Sequence, residues 1–178
     1  MRHVLVLPGN SVKNRAWGVA CKEYVQEMFD GVYVLQYTHW ETGESEIDLE
    51  EELEKIRKVV TEAGSEAVWY IFAKSIGSVL TLKAVEQGII NPEKCVFFGM
   101  PLKIAATKLR EDWSYLSSFT RPALAFHNNA DPTAEYEYTK NKIIEYSPSV
   151  TFKTLQGDTH DYLDFSEYES EITRFLQL

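Results

Sequence analysis

The chain is short of cysteine, of basic charge and of long apolar runs, and each shortage excludes a class of protein. Its 2 cysteines, Cys21 and Cys95, show no zinc-like spacing and are expected to be reduced, buried thiols. Against 27 Asp and Glu stand only 18 Lys and Arg, giving a net charge of −9. That balance argues against a nucleic-acid partner, because phosphate binding needs a basic face. No apolar run approaches the roughly 20 residues that span a bilayer, so no membrane partner is expected. The apolar stretch that opens the chain, up to Pro8-Gly9, is too short for a signal peptide, and a cytoplasmic location is expected by default. Glycine-rich phosphate loops are also missing. Lys74-Ser75 looks like the end of a P-loop, but Tyr70-Ile71-Phe72 before it offers no glycine, and Gly9 to Gly18 does not match G-x-G-x-x-G.

What is present suits a globular domain. Hydrophobic residues make up 44% of 178, enough for a sizeable core. Without repeats, low-complexity segments or a dividing linker, residues 1–178 read as a single domain. Apolar runs at His3–Leu7, Gly31–Gln36, Ala67–Ala73, Cys95–Phe98, Pro122–His127 and Val150–Leu155 read as six strands, several apolar on both faces and hence parallel. Between them lie helical stripes: Trp17 to Met28, Leu49 to Ala63, Ser75 to Gln87, Ala134 to Tyr146 and, last, Tyr168 to Leu176. Tyr37 to Gly43 reads as loop. Ser45-x-x-Asp48 can cap the helix after it, whose acidic run Glu50-Glu51-Glu52 reads as a solvated face. Met100 to Arg121 is the least regular part, with room for one or two short helices. Alternating strand and helix predicts a parallel sheet with helices on both faces, a three-layer α/β sandwich.

The organising stretch is Ala73-Lys74-Ser75-Ile76-Gly77. A serine at the tip of a sharp strand-to-helix turn needs small neighbours two residues either side, because the backbone there is strained. This is A-x-S-x-G, one residue off G-x-S-x-G. The bland alternative is a helix N-cap serine. Later strand ends carry an acid, Asp131, and a histidine, His160, in the order Ser75, Asp131, His160. Taken singly, Asp131 could be the turn residue before Pro132, and His160 a loop histidine bonded to Asp158 or Asp161. Asp158, His160 and Asp161 have no further ligand run beside them, and neither metal nor cofactor is expected. His39 precedes the serine and reads as a pocket-wall or surface residue. His3, within a strand, reads as packed. Asn10 also follows a strand end. In doubly wound sheets, that edge is where ligands bind.

This order, with the serine after a central strand, resembles the α/β-hydrolase superfamily over essentially the whole chain. Pro8-Gly9-Asn10 looks like its oxyanion loop, His127 to Pro132 like its acid turn, and Gly157-Asp158-Thr159-His160 like its histidine loop. The short length and the absence of a lid make the chain most similar to small serine hydrolases of the retinoblastoma-binding-protein type. It departs from the pattern in Ala73, in Lys74, and in having no leading antiparallel strands. The resemblance then implies a trimmed, mainly parallel six-stranded sheet of order 2-1-3-4-5-6.

It also implies a chemistry. A serine hydroxyl is a weak nucleophile and needs a base in reach. His160 would take its proton, and Asp131 would hold the imidazole. Backbone N–H groups of Asn10 and Ile76 would meet the oxyanion. The expected function is cleavage of a small ester, thioester or related acyl bond through an acyl-enzyme. The alternative is a hydrolase-fold protein that binds a protein or small ligand without turnover. Trp40, Met100, Trp113 and Phe119, near strand ends, are the foremost candidates for an acyl pocket, with Trp17, Tyr115 and Tyr162 behind them. Lys74 either steers an acidic substrate or points to solvent, and solvent is the expectation. Oligomeric state is not legible.

Overall fold

A computed structural model describes residues 1–108 and 114–177 of the chain. Six strands form one sheet: β1 (Arg2–Leu7), β2 (Gly31–Val34), β3 (Val68–Lys74), β4 (Lys94–Phe98), β5 (Ala123–Asn128) and β6 (Val150–Leu155). Their order is β2-β1-β3-β4-β5-β6, and every neighbouring pair is parallel. The predicted order holds, and the sheet is wholly rather than mainly parallel.

Strand alternation sorts the core into two layers. Leu5, Leu7, Ile71 and Ala73 face one side, with α3 (Leu49–Ala63), α4 (Ile76–Glu86) and α7 (Tyr136–Tyr146) over them. Val4, Val6, Tyr70 and Phe72 face the other, under α1 (Arg15–Val25) and α8 (Glu169–Leu176). The central helix α4 is buried from Ile76 to Leu82, which explains its lack of a polar stripe. Shorter helices are α2 (His39–Thr42), α5 (Leu102–Lys108) and α6 (Ser114–Ser117). Both cysteines are buried and free. Among the described residues no helix is long and apolar enough to cross a membrane.

Three local expectations need correction. Residues 39–42 are a helical turn rather than loop. The Thr38 N–H is held by Glu52 Oε1 at 2.7 Å, and Gly43, left-handed at φ 78°, closes the turn with its N–H on the His39 carbonyl. The cap of α3 is Asp48, which accepts from Glu50 N and Glu51 N, and not a box begun by Ser45. Glu52 is not solvated. It is buried because it reaches back to Thr38 and pairs with Lys55 at 3.2 Å.

Phe72 lies at the middle of the sheet with no exposed surface. Phe72→Ala is expected to lower unfolding free energy by about 3–5 kcal/mol, the range for emptying an aromatic core site, as read by urea denaturation.

Candidate functional site

The carboxyl ends of β1, β3, β4, β5 and β6 bring the site residues to one edge. At the end of β3 the chain turns at Ser75, whose φ of 52° and ψ of −123° no helix or strand would produce. Ser75 is one of three non-glycine residues with positive φ among the described residues, a conformation that costs energy and persists only where its surroundings impose it. Three bonds hold it here: Ser75 N–H donates to the Phe98 carbonyl of β4 at 2.9 Å, and Ser78 donates to the Ser75 carbonyl from its N–H at 2.9 Å and its Oγ at 2.6 Å. Gly77 shows why the residue two beyond must be small. A Cβ there would lie 2.1 Å from the Leu7 carbonyl oxygen.

Asp131 sits in the turn after β5, and every described polar contact of its carboxylate is a donor. Thr133 and Ala134 N–H each reach Oδ1 at 2.8 Å. His160 Nδ1 and the Tyr162 hydroxyl each reach Oδ2 at 2.7 Å. Burial of the carboxyl acts to raise its pKa, but the hydrogen bonds from His160, Ala134 and Tyr162 outweigh it and hold the pKa at about 2. An ionised carboxylate only accepts, so Nδ1 carries the proton and Nε2 is the basic nitrogen. That Nε2 is buried and has no hydrogen-bond partner. The structure therefore joins Asp131 to His160 and does not join Ser75 to His160 by a hydrogen bond. Such bonds are often long in unliganded sites and tighten once a substrate is bound.

The β4 end bridges the two halves. Phe98 holds the Ser75 N–H, and the next residue, Gly99, lies against His160. A Cβ on Gly99 would meet the His160 ring at 2.9 Å and the Tyr162 ring at 2.7 Å. Tyr162 is itself strained, at φ 51°. Its hydroxyl accepts from Asn128 N–H at 3.0 Å while donating to Asp131. Its carbonyl takes the Trp17 indole N–H at 3.0 Å.

Asn10, Ser75 and Ile76 line one cleft of about 370 Å³, with Ile47, Pro101, Ile104 and Thr133 among its other walls. The Asn10 carbonyl is held from behind by His39 Nε2 at 2.7 Å and Trp40 Nε1 at 2.6 Å. So His39 is a buried wall residue of the groove beside Asn10 rather than a surface one. His3 is packed between Tyr33 and Trp69.

The aromatic candidates fare differently. Met100 and Phe119 do not line the cleft. Both are buried in the layer beneath the helices, Phe119 against the Phe97 ring at 5.9 Å, and the Met100 carbonyl is bound by Thr139. Trp40 turns its indole to Asn10 and lines a neighbouring groove of about 210 Å³ with Val12 and Gly43. Trp113 lies outside the described residues. Trp17, Tyr115 and Tyr162 are core residues. Lys74 is also corrected. It is buried, and its ammonium donates to Asn14 Oδ1 at 2.6 Å. Burial pushes its pKa down to about 8, against the opposing pull of Asp161 and Asp131.

No family model matches the chain, and no curated protein matches its sequence. Solved structures do match it. Alpha/beta hydrolase domain-containing protein 10 from mouse superposes with a TM-score of 0.74 at 13% identity, over 98% of this chain and 88% of that one. A serine hydrolase without lid from Xanthomonas campestris gives 0.72 at 14%, over 99% and 81%. Est1E from Butyrivibrio proteoclasticus, with ferulic acid bound, gives 0.72 at 17%, over 99% and 88%. The chain has the α/β-hydrolase fold. It is a trimmed version of six strands, all parallel.

Within that α/β-hydrolase fold, sequence reasoning missed three residues at the site: Gly99, Lys74 and the polar role of Tyr162. Gly99 carried a readable signal, a glycine that ends an apolar strand run. The other two depend on contacts between loops far apart in sequence.

The Asp131 shift has a stability consequence. Its folded pKa lies below the unfolded value, so its contribution is present above about 3.9 and is lost as pH falls towards 2. By urea unfolding, the advantage of wild type over Asp131→Asn is expected to shrink by on the order of 2 kcal/mol between pH 5 and pH 2.

Proposed function

We propose that this protein is a serine hydrolase that cleaves small esters, thioesters or related acyl bonds. The observation that carries this reading is the strained Ser75 turn set beside a His160–Asp131 pair whose free Nε2 has no protein partner. His3, His39 and His127 also leave ring nitrogens without a partner, and what sets His160 apart is its bond to the buried Asp131 carboxylate. Solved neighbours described as serine hydrolases add support through shared fold.

Ser75 Oγ attacks the acyl carbon as His160 Nε2 takes its proton. Asp131 stabilises the imidazolium through Nδ1 without itself becoming protonated. The N–H groups of Asn10 and Ile76 receive the tetrahedral oxyanion. Nε2 then returns the proton to the leaving oxygen or sulfur, giving an acyl-enzyme. Water, deprotonated by the same nitrogen, attacks that ester and releases acid and free serine. The acyl group lies along Ile47, Ile76, Pro101 and Ile104, an apolar wall open at one side, which suits a modest chain.

A fluorophosphonate probe is expected to add once to the native protein, at Ser75. Ser75→Ala should lose the adduct and at least about 1000-fold of p-nitrophenyl acetate turnover, with unchanged circular dichroism. No adduct on wild type, while a control esterase labels, would move the protein to the non-catalytic binding alternative. Ile104→Trp should leave acetate turnover within about twofold and cut octanoate turnover by about tenfold or more, the scale set by a few methylenes in a pocket. Equal losses on both esters would place the acyl chain elsewhere.

A further inference from the structure

A buried ammonium next to the nucleophile needs a reason, because desolvating a charge is costly unless something compensates it. Lys74 ends β3 on the face that carries Tyr70 and Phe72, away from the α4 layer. Its described hydrogen bond is to Asn14 Oδ1 at 2.6 Å. Asp161 of the histidine loop and Asp131 of the acid turn act on it electrostatically.

Asn14 in turn holds the loop after β1. Its side-chain Nδ2 donates to the Ser11 carbonyl at 3.0 Å, and its backbone N–H donates to the same carbonyl at 2.8 Å. Its side chain also fills the space above Gly9, where a Cβ would lie 2.8 Å from Asn14 Cγ. The loop Gly9-Asn10-Ser11 is thus folded around the Asn14 side chain. The oxygen of that amide is fixed by a residue covalently joined to Ser75.

We propose that Lys74 is a positioning residue that, through Asn14, sets the Gly9–Ser11 loop and the Asn10 N–H against the Ser75 turn. This rests on the serine-hydrolase reading for its chemical meaning but not for its structural content. The spacing between nucleophile and oxyanion donor is held from behind by His39 and Trp40 on the Asn10 carbonyl, and from below by Lys74 through Asn14. A lysine suits this place better than a neutral residue of similar length. Its charge strengthens the bond to an amide oxygen, and it balances the Asp131 and Asp161 carboxylates on the adjoining loops.

The test compares wild type, Lys74→Met and Asn14→Leu, two near-isosteric changes that remove opposite ends of one bond, together with their double variant. In hydrogen exchange read by mass spectrometry, both single variants are expected to lose amide protection over residues 9–14, with α4 unaffected. On p-nitrophenyl acetate each should lower kcat about tenfold or more with KM within about twofold, a share of the loss that follows from removing an oxyanion donor. The double variant should be no worse than the worse single one. Lys74→Met should not lower the thermal midpoint, because it relieves a buried charge, whereas loss of a merely structural lysine would lower it and spare kcat. Unchanged exchange over residues 9–14, or turnover at the wild-type rate, overturns the proposal. Asn14→Leu, at a partly exposed site that ends the short 3₁₀ turn Val12–Asn14, carries the comparison if Lys74→Met does not fold. If wild type neither labels nor hydrolyses esters, the serine-hydrolase reading fails by itself, and the exchange result alone decides whether Lys74 anchors the loop.

Discussion

The close approach of α4 to the end of β1 is the constraint on which the rest of the site depends. The helix can begin where it does only because Gly77 lets its backbone meet the Leu7 carbonyl. To reach that position directly from β3, the chain must reverse within one residue. That residue is Ser75, and its positive φ is the geometric result. A serine in this conformation stands clear of both strand and helix, with its carbonyl taken by Ser78 and its N–H by Phe98. The turn is therefore held by the sheet on one side and by the helix on the other. An ordinary N-cap serine would bond a backbone N–H of its own helix, and Ser75 makes no such side-chain cap bond.

The other half of the site is organised by a carboxylate with four donors. Two backbone N–H groups fix one oxygen of Asp131, and His160 and Tyr162 share the second. The carboxylate is thereby immobilised by four donors. Nearby, His127 Nε2 bonds the Ala134 carbonyl, so the residue whose N–H serves Asp131 is itself tethered. Burial lowers the His127 pKa, although the Ala134 carbonyl and Asp131 pull the other way. This keeps the ring a neutral strut rather than a second base. Polar groups buried this deeply stabilise only when each has a partner, and the acid turn comes close to that condition.

Period and punctuation made most of the architecture legible. Strands such as Val150–Leu155 are bounded by turn residues, and their apolar runs admit one arrangement, a parallel sheet wound on both sides. The Ser75, Asp131 and His160 positions were legible for the same reason, since each follows a strand end. What stayed hidden depends on direction rather than on sequence position. Met100 follows a strand end too, but a side chain there can point to the cleft or beneath a helix, and burial favours the second; Phe119 instead precedes the start of β5 and packs in the same layer. Glu52 sits within an acidic run, yet its carboxylate turns inward to satisfy the Thr38 N–H, 14 residues away in sequence. Lys74 reads as solvent-facing until Asn14 is seen beside it. In each case a long-range partner, invisible to local pattern, decided the outcome.

The bond from the Trp17 indole to the Tyr162 carbonyl gives the histidine loop an optical reporter. Trp17 is fully enclosed, packed edge-on against Phe98, so its emission belongs at the blue end of the tryptophan range. The loop that carries His160 cannot lift from the sheet without breaking that bond and admitting water to the ring. Motion of the loop after β6 is thus written into the colour of light emitted from the α1 layer beside it.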